Sequence, residues 1–211
     1  MLKNLDYNKF KGKYRISSTR LPNWDYSWDG WYFVTICTKL KECFFGDIIN
    51  GKMKLSKIGK IAEKFWGEIP IHFSFTKLDK FIVMPNHIHG IIIIQNNVDI
   101  HNVETQNFAS LQNIKPIYKN QFGPQSKNLS SIIRGYKAGV KKWATMNKIE
   151  FIWQPRFYEH IVRNEKSLNT IRKYIIDNPA KWELGRDREE GSKFFDNFFN
   201  KLEQKTVSTI L

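Results

Sequence analysis

Phe75-Thr-Lys-Leu-Asp-Lys-Phe-Ile-Val-Met-Pro-Asn-His-Ile-His-Gly-Ile-Ile-Ile-Ile-Gln95 is the stretch on which the fold turns. It reads as two strands, Phe75 to Met84 and Asn86 to Gln95, joined through Pro85. The second is apolar on both faces, as a central strand covered on both sides has to be. Upstream, Trp31-Tyr-Phe-Val-Thr-Ile-Cys-Thr-Lys39 is β-branched and aromatic and predicts another strand. Asn50-Gly51 between two semi-apolar runs predicts a hairpin. Ser56 can cap a helix carrying Ile58, Ile61, Ala62 and Phe65 at helical spacing, which Gly67 and Pro70 stop. Downstream, residues 95–128 lose periodicity and are rich in Asn and Gln, which predicts a long, mobile polar insertion.

A second helix is predicted over Leu129 to Asn147, with Leu129, Ile132, Ile133, Tyr136, Val140 and Trp143 on one stripe and Arg134, Lys137, Lys141 and Lys148 on another. Phe151 to Val162 reads as a strand. Glu165 to Asn178 reads as a third helix that Asn164 caps and Pro179 ends. The order β, α, β, β, α, β and one more helix predicts an α+β, ferredoxin-like (split βαβ) antiparallel sheet with helices on one face and an appended C-terminal helix. Residues 1–30 are expected to form a basic, aromatic arm, 31–182 the domain, and 183–211 a tail.

The composition narrows the function. The 211 residues are 41% hydrophobic, enough for a packed core, and 34 Lys and Arg against 20 Asp and Glu leave +14. Such a balance suits a polyanion, nucleic acid first and an anionic membrane surface second. No apolar run approaches the roughly 20 residues of a membrane span, and the first thirty residues hold no signal-peptide core. Cys37 and Cys43 lack metal-ligand spacing and read as reduced packing residues, so a cytoplasmic, nucleoid-associated protein is expected.

Of five histidines, His87 and His89 lie two apart on the central strand and therefore on one face, roughly 6 to 7 Å apart along it. Imidazoles so placed can chelate one divalent metal and leave positions for a carboxamide or carboxylate, water and a phosphate oxygen. His-x-His on a strand is equally compatible with a structural role. On the third helix, Tyr174 and Asn178 are four apart and share a face. Tyr174 reads either as a boundary residue or, beside the histidines and a basic surface, as a nucleophile, with the Asn178 amide oxygen able to reach the same metal. A phenol with a pKa near 10 attacks phosphorus poorly unless a metal or cation favours the phenolate. Tyr136 is a weaker candidate because it falls on the apolar stripe.

Three ordered blocks also carry a resemblance. Met84-Pro-Asn-His-Ile-His89, Trp153-Gln-Pro-Arg-Phe-Tyr-Glu-His-Ile-Val-Arg-Asn164 and Tyr174-Ile-Ile-Asp-Asn-Pro179 together resemble the REP-associated tyrosine transposases, single-tyrosine transposases of the HUH endonuclease superfamily. The similarity spans roughly Arg20 to Trp182. It implies the ferredoxin-like fold, His87 and His89 as the metal-binding pair, Tyr174 as the nucleophile and Asn178 as the residue completing the metal site. The implied cofactor is Mg²⁺ or Mn²⁺. The implied reaction cuts single-stranded DNA beside a hairpin, forming a 5′-phosphotyrosyl link and a free 3′-OH that can later be rejoined.

The expected partner is single-stranded or hairpin DNA, with no membrane, bound by a monomer or a homodimer. From Lys127 to Lys181, twelve Lys and Arg stand against Glu150, Glu159, Glu165 and Asp177, so the DNA groove is expected here. Arg134, Lys137, Lys141, Arg156, Arg172 and Lys173 are its candidate DNA contacts. Trp143, Trp153 and Tyr158 can stack on unpaired bases or belong to the core. His160 and Trp153 are secondary site candidates, with a hydrogen-bonded structural histidine the favoured reading of His160. Two other readings remain: a catalytically idle hairpin-DNA binder on the same fold, and a ferredoxin-like RNA-binding domain, which leaves the histidine pair unexplained.

Overall fold

Asn50 and Gly51, both with positive φ (52° and 68°), close a hairpin between β2 (Gly46–Ile49) and β3 (Lys52–Leu55), as the Asn-Gly pair requires. The hairpin stands outside the main sheet. The computed structural model describes residues 24–96 and 126–183 of the chain. The four-stranded main sheet is built from β1 (Gly30–Cys37), β4 (Thr76–Val83), β5 (His87–Ile94) and β6 (Tyr158–Val162) in the order β4-β5-β1-β6, every pair antiparallel. In chain order these four strands lie 2-3-1-4, the ferredoxin-like arrangement the element order predicts.

Every residue of β5 is buried, which its apolar run anticipated. On one side Tyr32, Val34, Ile36, Ile88 and Ile92 join α1 (Lys57–Gly67) and α3 (Leu129–Met146) in the larger core cluster. Ser56 caps α1 by accepting from the Gly59 N–H at 3.1 Å, and Asn128 and Ser131 form a reciprocal capping box on α3. On the other side Phe33, Ile91 and Val162 pack against Leu168, Ile171, Tyr174 and Ile175 of α4 (Glu165–Glu183). Asp79 on β4 accepts from the Arg172 guanidinium, tying α4 to the sheet edge. The tyrosine helix therefore crosses the face opposite α1 and α3.

α1 ends at Gly67, as read, and Pro70 sits in the first turn of a separate short helix, α2 (Ile69–His72), where a missing N–H costs nothing. Three boundaries differ from the sequence reading. Pro179 lies inside α4, which runs on to Glu183, its last turn held by burial of Trp182. Residues 151–157 are not strand: Pro155 cannot donate, Arg156 takes φ 66°, and one isolated bridge, Thr38 to Trp153, remains. Trp24 to Asp29, expected to belong to an arm, pack instead, with Tyr26 buried and its carbonyl accepting from the Leu129 N–H at 3.0 Å. The rest of the arm, the polar insertion from 97 to 125 and the tail from 184 lie outside the described residues.

Candidate active site

His87 opens β5, and the turn before it is held from several sides. The Met84 N–H donates to the His87 carbonyl at 2.8 Å, and the Thr38 N–H to the Asn86 carbonyl at 2.9 Å. The Asn86 Nδ2 donates to the Lys41 carbonyl at 3.0 Å, which points Oδ1 at His87 Nδ1, 2.7 Å away. That oxygen only accepts, so Nδ1 of His87 carries the proton and Nε2 keeps its lone pair. His89 faces Thr35, its register partner on β1, with Nδ1 2.9 Å from the hydroxyl. Phe33 stacks against the His89 ring at 5.5 Å between centroids. The two imidazoles are themselves 4.4 Å apart, centroid to centroid.

Both rings are neutral. Burial, reinforced by the Lys41 charge, pushes the His87 pKa down to about 3. Burial, followed by repulsion between a second proton and the neighbouring His87 ring and then the Lys181 ammonium, holds His89 well below the ordinary histidine value. Neutral imidazoles with Nδ1 engaged are in the state a divalent metal needs.

Helix α4 supplies the other side. Tyr174, Asn178 and Trp182 recur at every fourth residue and so lie along one stripe. The Tyr174 Oη is 3.4 Å from His89 Nε2, with the rings 5.2 Å apart and the side chain 5% exposed. Trp182 closes the end of the stripe, 5.8 Å from the His87 ring. The Lys181 ammonium sits 4.7 Å over the Tyr174 ring. Asn178 is fully buried, yet its Oδ1 and Nδ2 have no hydrogen-bond partner among the described residues. An orphaned buried carboxamide is costly and uncommon, and the metal role expected for it gives that cost a reason. Among the described residues no third His, Cys, Asp or Glu joins the pair in a group that could hold a metal. A cleft of about 440 Å³, lined by Lys41, Cys43, Asp47, Ile48, Pro85, Asn86 and Trp182, adjoins the His87 end.

The remaining expected residues are dispersed. Lys137 donates to the Gln154 and Arg156 carbonyls at 2.7 and 3.0 Å, and Lys141 to the Phe151 carbonyl at 2.6 Å, so both ammonium groups secure the 151–157 loop. Trp153 donates its indole N–H to the Lys137 carbonyl and packs among Phe45, Tyr136 and Phe151. Arg156 is exposed on that loop, which reaches the Cys37–Thr38 end of β1, where His87 also lies. Arg134 is exposed on α3, on the far face of the sheet. Arg172 binds Asp79 and covers the Trp31 ring, while Lys173 pairs with Asp177 at 3.3 Å. His160 pairs in register with Phe33, with β1 between it and the histidine strand, and burial followed by the Arg163 charge takes its pKa to about 3. Tyr136 donates to the Ala62 carbonyl at 2.9 Å in the opposite core. Thr35, Asn86, Lys181 and Trp182 were missed in the sequence. Thr35 alternates with Phe33, Asn86 precedes the first histidine, and Trp182 continues the Tyr174–Asn178 spacing, so three of the four left a trace there.

No protein-family model matches the chain. A Haemophilus influenzae protein without assigned function is 42% identical over 173 residues, covering 82% of this chain and 92% of that one. A second protein of that organism, which carries the name of a REP-associated tyrosine transposase, is 28% identical over 159 residues, 74% of each chain. A solved structure of a REP-associated tyrosine transposase bound to a REP hairpin covers 79% of this chain and 74% of its own, at 19% identity and a TM-score of 0.48.

Proposed function

We propose that this chain acts as a REP-associated tyrosine transposase, a metal-dependent endonuclease and strand transferase for single-stranded DNA beside hairpins working through Tyr174; a relative of that name, 28% identical over 74% of each chain, supports the reading. The observation that carries the reading is the Tyr174 hydroxyl held 3.4 Å from the Nε2 of a neutral, buried histidine on the central strand. The orphaned Asn178 carboxamide one turn along the helix supports it.

The donor set fits a hard or borderline divalent ion: two imidazole nitrogens, one carboxamide oxygen, and room for phosphate and water. Mg²⁺ or Mn²⁺ held by His87, His89 and Asn178 would polarise the scissile phosphate and offset charge on its oxygens. The chain's own groups do the rest. Asn86 and Thr35 fix the imidazoles, and the Arg172–Asp79 tie holds α4 in register over them. Tyr174 Oη bonds to phosphorus as the bond from phosphorus to the 3′ oxygen breaks. The phenol loses its proton and the 3′ oxygen gains one. The phosphotyrosyl link conserves the phosphodiester, so a second 3′-OH can reverse the step and join strands. The Lys181 ammonium, which has no carboxylate partner among the described residues, stands where it offsets the negative charge of that exchange.

One observation favours a hairpin binder without turnover: Trp182 covers His87, and Tyr174 is nearly enclosed. Incubating the protein with a pool of hairpin oligonucleotides and Mn²⁺, then probing the product ends, separates the two. The nuclease reading predicts free 3′-OH ends and 5′ ends blocked by protein, both lost with EDTA. Tight binding with intact oligonucleotides would favour the binder, and products with free 5′-phosphates would refute a tyrosine nucleophile.

A further inference from the structure

The turn that follows β1 presents a leucine to solvent at the histidine end of the sheet. Leu40 is 79% exposed, and both it and Lys41 take left-handed backbone, at φ 53° and 56°. An exposed leucine is ordinary on its own, but two successive non-glycine residues in that strained region are not. The turn is held there from both sides. The hydroxyl of Thr38, a fully buried residue, lies 2.7 and 2.9 Å from the Glu42 and Asn86 carbonyls, and the Asn86 Nδ2 donates to the Lys41 carbonyl at 3.0 Å. The Lys39 N–H donates to the Ile152 carbonyl at 2.9 Å, which braces the turn on the 151–157 loop as well.

The chemistry around Leu40 is specific. Lys39 and Lys41 flank it in the chain, both exposed, against one exposed carboxylate at Glu42. Ile152, 39% exposed, and the exposed Arg156 add a second apolar group and a third cation from the neighbouring loop. The turn is tied to the site, because the Lys41 carbonyl holds the Asn86 side chain that bonds the His87 ring. An apolar centre set between cations fits a target that is apolar in the middle and anionic at its sides. The end of a DNA stem is such a target: its last base pair shows an open π face, with a phosphate backbone at either edge. Leucine is one of the side chains that proteins set against base steps. An anionic membrane offers the same two chemistries as a broad plane, and the tie to a histidine pair suited to phosphodiester chemistry favours DNA.

We propose that Leu40 is a pin for the base of the hairpin, packing against the face of the last base pair of the stem while Lys39 and Lys41 meet the phosphates on either side. Pairing then stops at the turn, and the strand beyond the stem passes unpaired toward Tyr174. Because the turn is braced to Asn86 and Ile152, the pin keeps a fixed place relative to His87. It thereby sets how many nucleotides separate the stem from the scissile phosphate. The pin rests on reading the chain as a hairpin-DNA protein and is independent of turnover.

The test uses full-length protein carrying Tyr174→Phe, in EDTA, so that binding is read without cleavage, alone and with Leu40→Asn or Leu40→Met added. Asparagine accepts left-handed backbone more readily than leucine, so the turn is kept while the apolar contact is lost, and methionine keeps the contact. The probes are a hairpin with unpaired flanks and 2-aminopurine in its last base pair, an unstructured strand of the same composition, and vesicles of phosphatidylcholine and phosphatidylglycerol. Leu40→Asn is expected to weaken hairpin binding about tenfold, with the unstructured strand bound as before and the melting temperature unchanged or higher. The 2-aminopurine fluorescence should rise when the parent protein or Leu40→Met binds, because the leucine or methionine displaces the flanking base stacked on that pair, and should stay low with Leu40→Asn. Equal hairpin affinity and fluorescence in parent and Leu40→Asn, or an equal loss on both DNA probes, overturns the pin. So does a Leu40→Asn loss seen only on the vesicles, which would assign the patch to a membrane surface. A parent protein that binds hairpins no better than unstructured strands overturns the pin together with the hairpin reading. A hairpin preference that depends on Leu40, in a chain whose wild type never forms a covalent adduct, would leave the pin standing and remove the nuclease reading instead.

Discussion

The Tyr174 hydroxyl and the His89 Nε2 stand 3.4 Å apart although 85 positions separate them in the sequence. The contact exists because β5 lies at the sheet centre while α4 crosses the face onto which both histidines project. Everything proposed for the site follows from that crossing, and each consequence can be measured.

Replacing Asn178 by Leu should separate stability from function. At nearly constant volume, the substitution removes two buried polar atoms that have no partner among the described residues. Metal-free protein is therefore expected to be unchanged or up to about 3 kcal/mol more stable. The stabilisation that added Mn²⁺ gives the wild type should shrink or vanish. Thermal melts of both proteins with and without Mn²⁺ decide it; a destabilised Asn178→Leu protein that keeps its full response to metal would contradict the assigned ligand.

Acid should weaken the fold in a defined window. His87 and His160 titrate near 3 and His89 well below its ordinary value, burial being the leading cause in each. In the unfolded chain these imidazoles titrate at about 6.5, so below that pH the unfolded state binds more protons. Stability is then complete above about pH 6.5 and is lost progressively as pH falls toward 3. Urea unfolding at about pH 7 and pH 5 should show this loss, with each histidine adding up to about 1.4 kcal/mol per pH unit. His160→Gln should remove one histidine's share, and a flat profile would mean that the rings are not buried neutral.

Lys137 and Arg156 should behave as different kinds of cation. Lys137 donates to two loop carbonyls, so Lys137→Met is expected to cost about 1 to 2 kcal/mol and speed amide exchange over residues 153–156, leaving the salt dependence of DNA binding intact. Arg156 is exposed at the histidine end of the sheet, so Arg156→Gln should reduce that salt slope by about one with little change in stability. The opposite assignment of the two effects would make Lys137 a DNA contact and Arg156 a structural residue.

Gly90 makes room for the core behind the site. A Cβ there would lie 2.2 Å from the buried Trp66 ring, which stacks on Phe81. Gly90→Ala is expected to cost about 1 to 3 kcal/mol or more, and, being next to His89, to weaken the metal response as well. An unchanged melting temperature would show that the Trp66 packing yields easily.

Much of this architecture is legible in the sequence because local signals agree with it. The β5 run, the Asn50-Gly51 turn, the Ser56 cap and the His-x-His alternation each state their structure within a few residues. The failures share one cause, which is that tertiary contacts outvote a local rule. Pro179 should end a helix, yet burial of Trp182 against the His87 ring carries α4 through it. Residues 151–157 have strand composition, but Lys137 and Lys141, distant in sequence, take their carbonyls. On α3, spacing places a lysine on a helix face without showing where its ammonium ends, and the Lys137 and Lys141 ammonium groups end on carbonyls of the 151–157 loop. The Asn178 carboxamide without a partner among the described residues could not be foreseen, since such a lack becomes visible only once the packing around the side chain is known.

The most direct test of the account is covalent trapping. Wild type and Tyr174→Phe are incubated with hairpin oligonucleotides and Mn²⁺, and the protein is resolved on a denaturing gel. The account predicts a wild-type band shifted by an attached strand, absent with EDTA and absent in Tyr174→Phe, while both proteins bind the hairpins alike. An equal shift in both proteins would contradict it, because the nucleophile would then be another residue.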